Sequence, residues 1–202
     1  MKYRNLGRTG LKVSVLTMGT FSFGGRGPFA RVASQDVADA RRLVDTCIDH
    51  GVNLFDTANM YSTGLAEEIL GEVLEGRYDD ILVTSKVRMP IGEGPNDEGL
   101  SRWHLIRECE RSLKRLRTDW IDLYQLHRCN AEVPIDETLR ALDDLIRAGR
   151  IRYIGCSMFP SWQIVESLWV AKELGLNRFV SEQPAYHMLD RTAEREVIPA
   201  AR

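Results

Sequence analysis

Four side chains in this sequence are of the right types to move a proton to or from an oxygen atom together: Asp56, Tyr61, Lys86 and His127. They sit at or just after the ends of short apolar runs, in NLFDTANMYS, ILVTSK and WIDLYQLH. A phenol has an ordinary pKa of about 10, too high to cycle its proton readily near neutrality. An adjacent ammonium favours the phenolate and lowers that value, and Asp56 can pair with Lys86 and hold it in place. Tyr61 then serves as a general acid, and His127 hydrogen-bonds the same substrate oxygen. Singly, each residue has a plainer explanation: a capping aspartate, a packed tyrosine on a loop, a lysine reaching solvent, a structural histidine. Together, at neighbouring strand ends, they make sense as one device.

The elements that must position them follow a repeated grammar. β-Branched runs alternate with amphipathic helical patterns, and most helices end in glycine just before the next run. In the first helix, Ser34 is placed to cap it, Val37, Ala40, Val44, Cys47 and Ile48 share a face, and Gly51 ends it. Leu139, Leu142, Leu145 and Ile146 before Gly149 repeat the pattern, as do Ile164, Leu168, Ala171 and Leu174 before Gly175. A hairpin is expected around Gly7 to Gly10, then strands over Val15–Thr20, Val52–Asp56, Ile81–Lys86, Ile121–Leu126, Ile151–Ser157 and Arg178–Gln183.

Parallel strands with helical crossovers make an open doubly wound sheet or a closed barrel. No G-x-G-x-x-G follows the first strand, and polar residues end nearly every strand. Both features favour an α/β fold of the (β/α)8 barrel type, whose active sites lie at the C-terminal face. About six βα units are present where closure needs eight, and the chain stops in a helical pattern, TAEREVIPAAR. The expectation is one barrel domain over residues 1–202, incomplete at its C-terminus, with a further segment or a partner covering the open edges.

Bulk properties narrow the function classes. With 202 residues, 44% hydrophobic and 28% charged, the chain can bury one good core. Its 27 basic and 29 acidic residues leave a formal charge of −2 without like-charge blocks, so no nucleic acid or anionic membrane partner is expected. The partner is expected to be a small molecule. Cys47, Cys109, Cys129 and Cys156 lack C-x-x-C spacing and read as reduced residues. No signal peptide or membrane span is legible, which makes cytoplasmic the default location. Oligomeric state is left open.

The pieces NLFDTANMYS, ILVTSK, WIDLYQLH, AGRIRYIGCS and SEQPAY, in this order from about Tyr3 onward, resemble the aldo-keto reductase family. Within it, the wording is nearer the aryl-alcohol dehydrogenase-like and potassium-channel β-subunit-like branches. The resemblance implies a barrel that binds NADPH, or in some members NADH, and reduces aldehydes or ketones, with Asp56, Tyr61, Lys86 and His127 as the catalytic tetrad. It also implies cofactor contacts at Gly19, Thr20, Asp56, Ser157, Met158 and Gln183. Met158 stands where many members have asparagine, and a thioether is at best a weak acceptor. The family's grip on the adenosine phosphate falls beyond Arg202.

Substrate choice is expected to lie in FSFGGRGPFARVA and RMPIGEGPNDEG, with Phe21, Phe23, Met60 and Met89 as an apolar wall suited to aryl or alkyl carbonyls. Two other readings stand beside this one. A nicotinamide-binding regulatory subunit would share the fold but turn over little. A metal-dependent barrel hydrolase would use Asp56 and His127 as ligands, but no H-x-H pair occurs, and no metal is expected.

Overall fold

A computed structural model describes residues 1–202. β1 (Tyr3–Asn5) and β2 (Lys12–Ser14) pair antiparallel as the expected hairpin. Six parallel strands follow: β3 (Met18–Gly19), β4 (Leu54–Asp56), β5 (Leu82–Val87), β6 (Ile121–Leu126), β7 (Ile151–Ser157) and β8 (Glu182–Gln183). Helices α1 (Val37–Asp49), α2 (Leu65–Leu74), α3 (Arg102–Leu116), α4 (Ile135–Arg147) and α5 (Ser161–Leu174) connect them in turn, and α6 (Val197–Ala201) follows β8. Strand order in the sheet is chain order, with no reversal. That progression is a partial (β/α)8 barrel and not a doubly wound sheet, which would reverse at a switch point. No helix is long and apolar enough to cross a membrane.

The helices form for the reasons their sequence suggests. Ala40 and Val44 of α1 are fully buried, and Gly51, at φ 79°, supplies the left-handed turn that returns the chain to β4. The cap of α1 differs from expectation. Asp36, not Ser34, accepts the Asp39 amide at 2.9 Å, because Ser34 is still held in the preceding loop by its own amide on Ser22 O. Such a cap contributes about 1 kcal/mol.

Two strands are shorter than the apolar runs that announced them. Val15 and Leu16 are exposed and belong to the turn leaving the hairpin, where Val15 N donates to Lys2 O and Ser14 Oγ to Leu16 O. Only Met18 and Gly19 pair with β4. At the other edge, regular pairing is confined to Glu182 and Gln183, although the Val180 amide already reaches Ile154 O. The four central strands match expectation to within two residues at either end.

Register fixes which side chains share a face. Gly19, Asp56, Thr84, Leu123 and Tyr153 lie in one row across the sheet, and Lys86, Gln125 and Gly155 form the next row toward the C-terminal ends. Because strand side chains alternate, both rows point into the barrel interior. Val83, Val87, Tyr124, Leu126, Ile154 and Cys156 point the other way, into the apolar core beneath the helices.

Behind β5 the helix layer is tightly joined. Glu67 of α2, Arg115 and Glu108 of α3 and Ser85 of β5 form a chain of contacts at 2.5–2.6 Å, with both carboxylates fully buried. Gly71 lets α2 approach α3 closely: a Cβ there would lie 2.5 Å from Arg115 O and 2.6 Å from the Leu116 carbonyl carbon. Gly71→Ala is therefore expected to destabilise the chain by about 1–3 kcal/mol through overpacking, although alanine is the better helix former by about 1 kcal/mol. A urea midpoint that rises or stays fixed would contradict this close helix contact.

Candidate active site

Lys86 lies one residue before the end of β5 with its side chain inside the barrel, 2% exposed, beside Asp56 as expected and not reaching solvent as its plainer explanation had it. A buried ammonium needs partners for all three protons. Here they are Asp56 Oδ1 at 2.7 Å, Asp56 Oδ2 at 2.6 Å and Thr57 O at 3.0 Å. Asp56 closes β4, and the β4–β5 register sets it one rung below Lys86 on the same face. Burial pulls the Lys86 ammonium down, and the Asp56 carboxylate opposes that pull.

Tyr61 follows on the β4–α2 loop and opens a 3-10 turn, Tyr61–Gly64. The turn is made by three successive left-handed residues, Ser62 (φ 49°), Thr63 (φ 55°) and Gly64 (φ 91°). Two of them carry a Cβ, each at a cost of about 1–2 kcal/mol, so the surrounding contacts must hold the conformation. The Tyr61 ring rests with its centroid 5.2 Å from Lys86 Nζ and 5.7 Å from the His127 ring, edge to face.

The electrostatics correct one expectation. The Tyr61 phenol is pushed up, not down, first by burial and then by Asp56. All three Lys86 protons are committed to Asp56 and Thr57, and at the phenol the Asp56 carboxylate adds to the effect of desolvation, which is the larger of the two. His127, one residue beyond β6, is anchored by its amide on Val87 O at 2.8 Å. Its imidazole is driven down to about 4 by burial, with Lys86 and Arg128 adding to the effect. It is neutral at pH 7, and its Nδ1 is buried without a hydrogen-bond partner.

The residues expected around a cofactor lie along the strand ends on either side of this group. Gly19 pairs with Asp56 in the register, and a Cβ there would meet no atom within 4 Å. The Thr20 amide donates to Asp56 O, while its buried hydroxyl has no partner. Across the sheet, Ser157 Oγ donates to Gln183 O at 2.9 Å, and Gln183 is exposed. Met158 adopts φ 57°, and its Sδ accepts the Ala185 amide at 3.2 Å. An open floor at Gly19, an orphaned hydroxyl at Thr20 and an exposed amide at Gln183 fit a flat, polar-edged ring.

The apolar wall is only partly as expected. Phe23 is fully buried in the core and unavailable as a wall. Phe29, which the sequence reading passed over, joins Phe21: their rings stand 5.3 Å apart, and Phe21 meets Tyr61 edge-on at 5.2 Å. The Pro28 that precedes it, opening the 3-10 turn Gly27–Phe29, was the available signal. No three His, Cys, Asp or Glu side chains gather closely enough to share a metal ion.

The His127 shift makes a pH prediction. Its folded value, about 4, lies below the ordinary 6.5, so the unfolded chain binds the proton first. The contribution of His127 to stability is fully present above about pH 6.5 and is lost as pH falls through about 4. The imidazole carbon resonance of His127 in NMR is expected to stay at its neutral position at pH 6. A midpoint there near 6.5 would overturn the account of its burial.

A family model described as the aldo/keto reductase family matches residues 15–202. An uncharacterized oxidoreductase of Bacillus subtilis, YrpG, is 41% identical over the whole chain. A probable voltage-gated potassium channel subunit beta of Arabidopsis thaliana is 41% identical over 98% of it. A putative aryl-alcohol dehydrogenase of Saccharomyces cerevisiae is 35% identical over the whole chain. The chain spans 63%, 60% and 64% of these relatives' respective lengths. With the parallel partial barrel and the match over nearly all its residues, this chain belongs to the aldo/keto reductase family.

Proposed function

We propose that this chain carries the proton-transfer centre and nicotinamide-side contacts of an NAD(P)H-dependent oxidoreductase that reduces aldehydes or ketones to alcohols. The observation that carries the reading is the buried Lys86–Asp56 pair lying beneath Tyr61 and a neutral His127 at adjacent strand ends.

Nicotinamide, when bound, would supply the hydride. Gly19, Thr20, Asp56, Ser157, Met158 and Gln183 would hold it, with Gln183 and the Ser157 region addressing its polar edge. His127, uncharged, donates one hydrogen bond to the substrate carbonyl and orients it without competing for the proton. Tyr61 delivers the proton to the same oxygen. Its raised pKa keeps it protonated at neutral pH, which suits a donor waiting for charge to develop on that oxygen. As the phenolate forms, the ammonium 5.2 Å from the ring centroid stabilises it, and Asp56 keeps that ammonium from drifting toward solvent. Phe21 and Phe29 beside Tyr61 favour an apolar carbonyl compound over a highly charged one.

A second reading draws on the relatives named as potassium channel beta subunits: a cofactor-binding subunit that turns over little. Tight NADPH binding without oxidation across a panel of aldehydes would favour it.

Tyr61→Phe in the full natural chain is expected to lower kcat by about 10²–10⁴-fold, the usual worth of a positioned general acid. NADPH affinity, read by quenching of protein fluorescence, should stay within a few-fold. Near-normal reduction by this variant would remove Tyr61 from the role.

A further inference from the structure

We infer that Ser62 is a positioning residue for Tyr61 and for the aromatic wall beside it, acting by clamping the loop after β3 onto the strained turn that carries the phenol. Ser62 is fully buried, one residue after Tyr61, in a left-handed conformation that a serine adopts only under constraint. Its hydroxyl donates to Phe23 O at 2.6 Å and accepts the Gly25 amide at 3.0 Å. Both partners lie in the β3–α1 loop, 37 to 39 residues earlier in the chain. The contact is close on the loop side as well: a Cβ on Gly24 would lie 2.9 Å from Ser62 Cβ.

This clamp determines more than a turn. The loop it fixes carries Phe21 and Phe29, whose rings stand 5.2 and 6.2 Å from Tyr61. Tyr61 is thus held between the clamped loop on one side and Lys86 and His127 on the other. Phe21 and Phe29 flank the phenol, so one hydroxyl bears both on where the proposed proton donor sits and on how its aromatic flank is placed. Displacements of about 1 Å in such constellations cost on the order of 10²-fold in rate.

The experiment compares Ser62→Ala with Ser62→Gly in the full natural chain. Both lose the two hydrogen bonds, while glycine also relieves the left-handed strain and so protects folding. With NADPH, kcat/KM for benzaldehyde is expected to fall about tenfold or more in both variants. The preference for benzaldehyde over propanal should shrink, and NADPH affinity should stay within about twofold, since Ser62 contacts none of the cofactor residues. A glycine variant with wild-type kcat/KM and unchanged preference would overturn the inference.

The activity arm rests on the proposed reductase reading, so a second readout is independent of it. In protein labelled at tyrosine Cζ, the Tyr61 NMR titration should move toward the ordinary phenol range in Ser62→Gly as the loop lifts. Asp56, Lys86 and His127, the other titratable groups around the ring, remain in place. If the natural protein turns over no aldehyde, the reductase reading fails alone, and this titration decides the inference: movement supports it, and an unmoved titration overturns it.

Discussion

The buried ammonium of Lys86 is the constraint on which the geometry of the candidate site depends. An ion of that kind held at 2% exposure cannot exist without compensation, because the desolvation penalty is several kcal/mol even after relaxation. Asp56 and the Thr57 carbonyl supply it, which requires β4 and β5 to be neighbours in parallel register and the β4–α2 loop to turn back over the pair. The same arrangement sets the protonation states around it. Burial raises the Tyr61 phenol and the Asp56 carboxylate adds to it, while Lys86 reinforces the effect of burial on His127 and holds it uncharged. A protonated phenol and a neutral imidazole side by side are suited to donating to one oxygen without repelling each other.

The outward side of the same strand is held just as firmly. Ser85 points away from the barrel and donates to Glu67, which Arg115 links to Glu108. These carboxylates are buried, so their interaction with Arg115 is better read as specifying how α2 and α3 seat against β5 than as a source of net stability. β5 is gripped from both faces: an ion pair inside, and a second polar network in the helix layer. The close approach at Gly71 makes that seating compact.

The candidate reacting groups and three of the residues expected around a cofactor sit at different places in the sheet. Asp56 and Lys86 come from the interior strands β4 and β5, and His127 follows β6 directly with its amide on Val87 O. Gly19 and Gln183 lie on its two edge strands, each two residues long, and Thr20 follows the first of them. Membership of the aldo/keto reductase family does not select one substrate.

The βα grammar was legible in the sequence because it rests on local physics: apolar spacing, capping and left-handed glycines decide helix ends at Gly51, Gly149 and Gly175 whatever surrounds them. The candidate reacting group was legible too, since strand-end residues of a parallel sheet must converge on one face. What could not be read locally was everything that depends on what lies across the fold. Val15 and Leu16 look like strand residues until the hairpin claims them, and Phe23 looks like a pocket wall until the core does. Phe29 and Ser62 matter only because a loop from one part of the chain closes on a turn from another. The direction of the Tyr61 shift is of the same kind: sequence order named its charged neighbours, but only tertiary structure decided that Asp56 occupies all but one of the Lys86 protons, leaving burial to dominate.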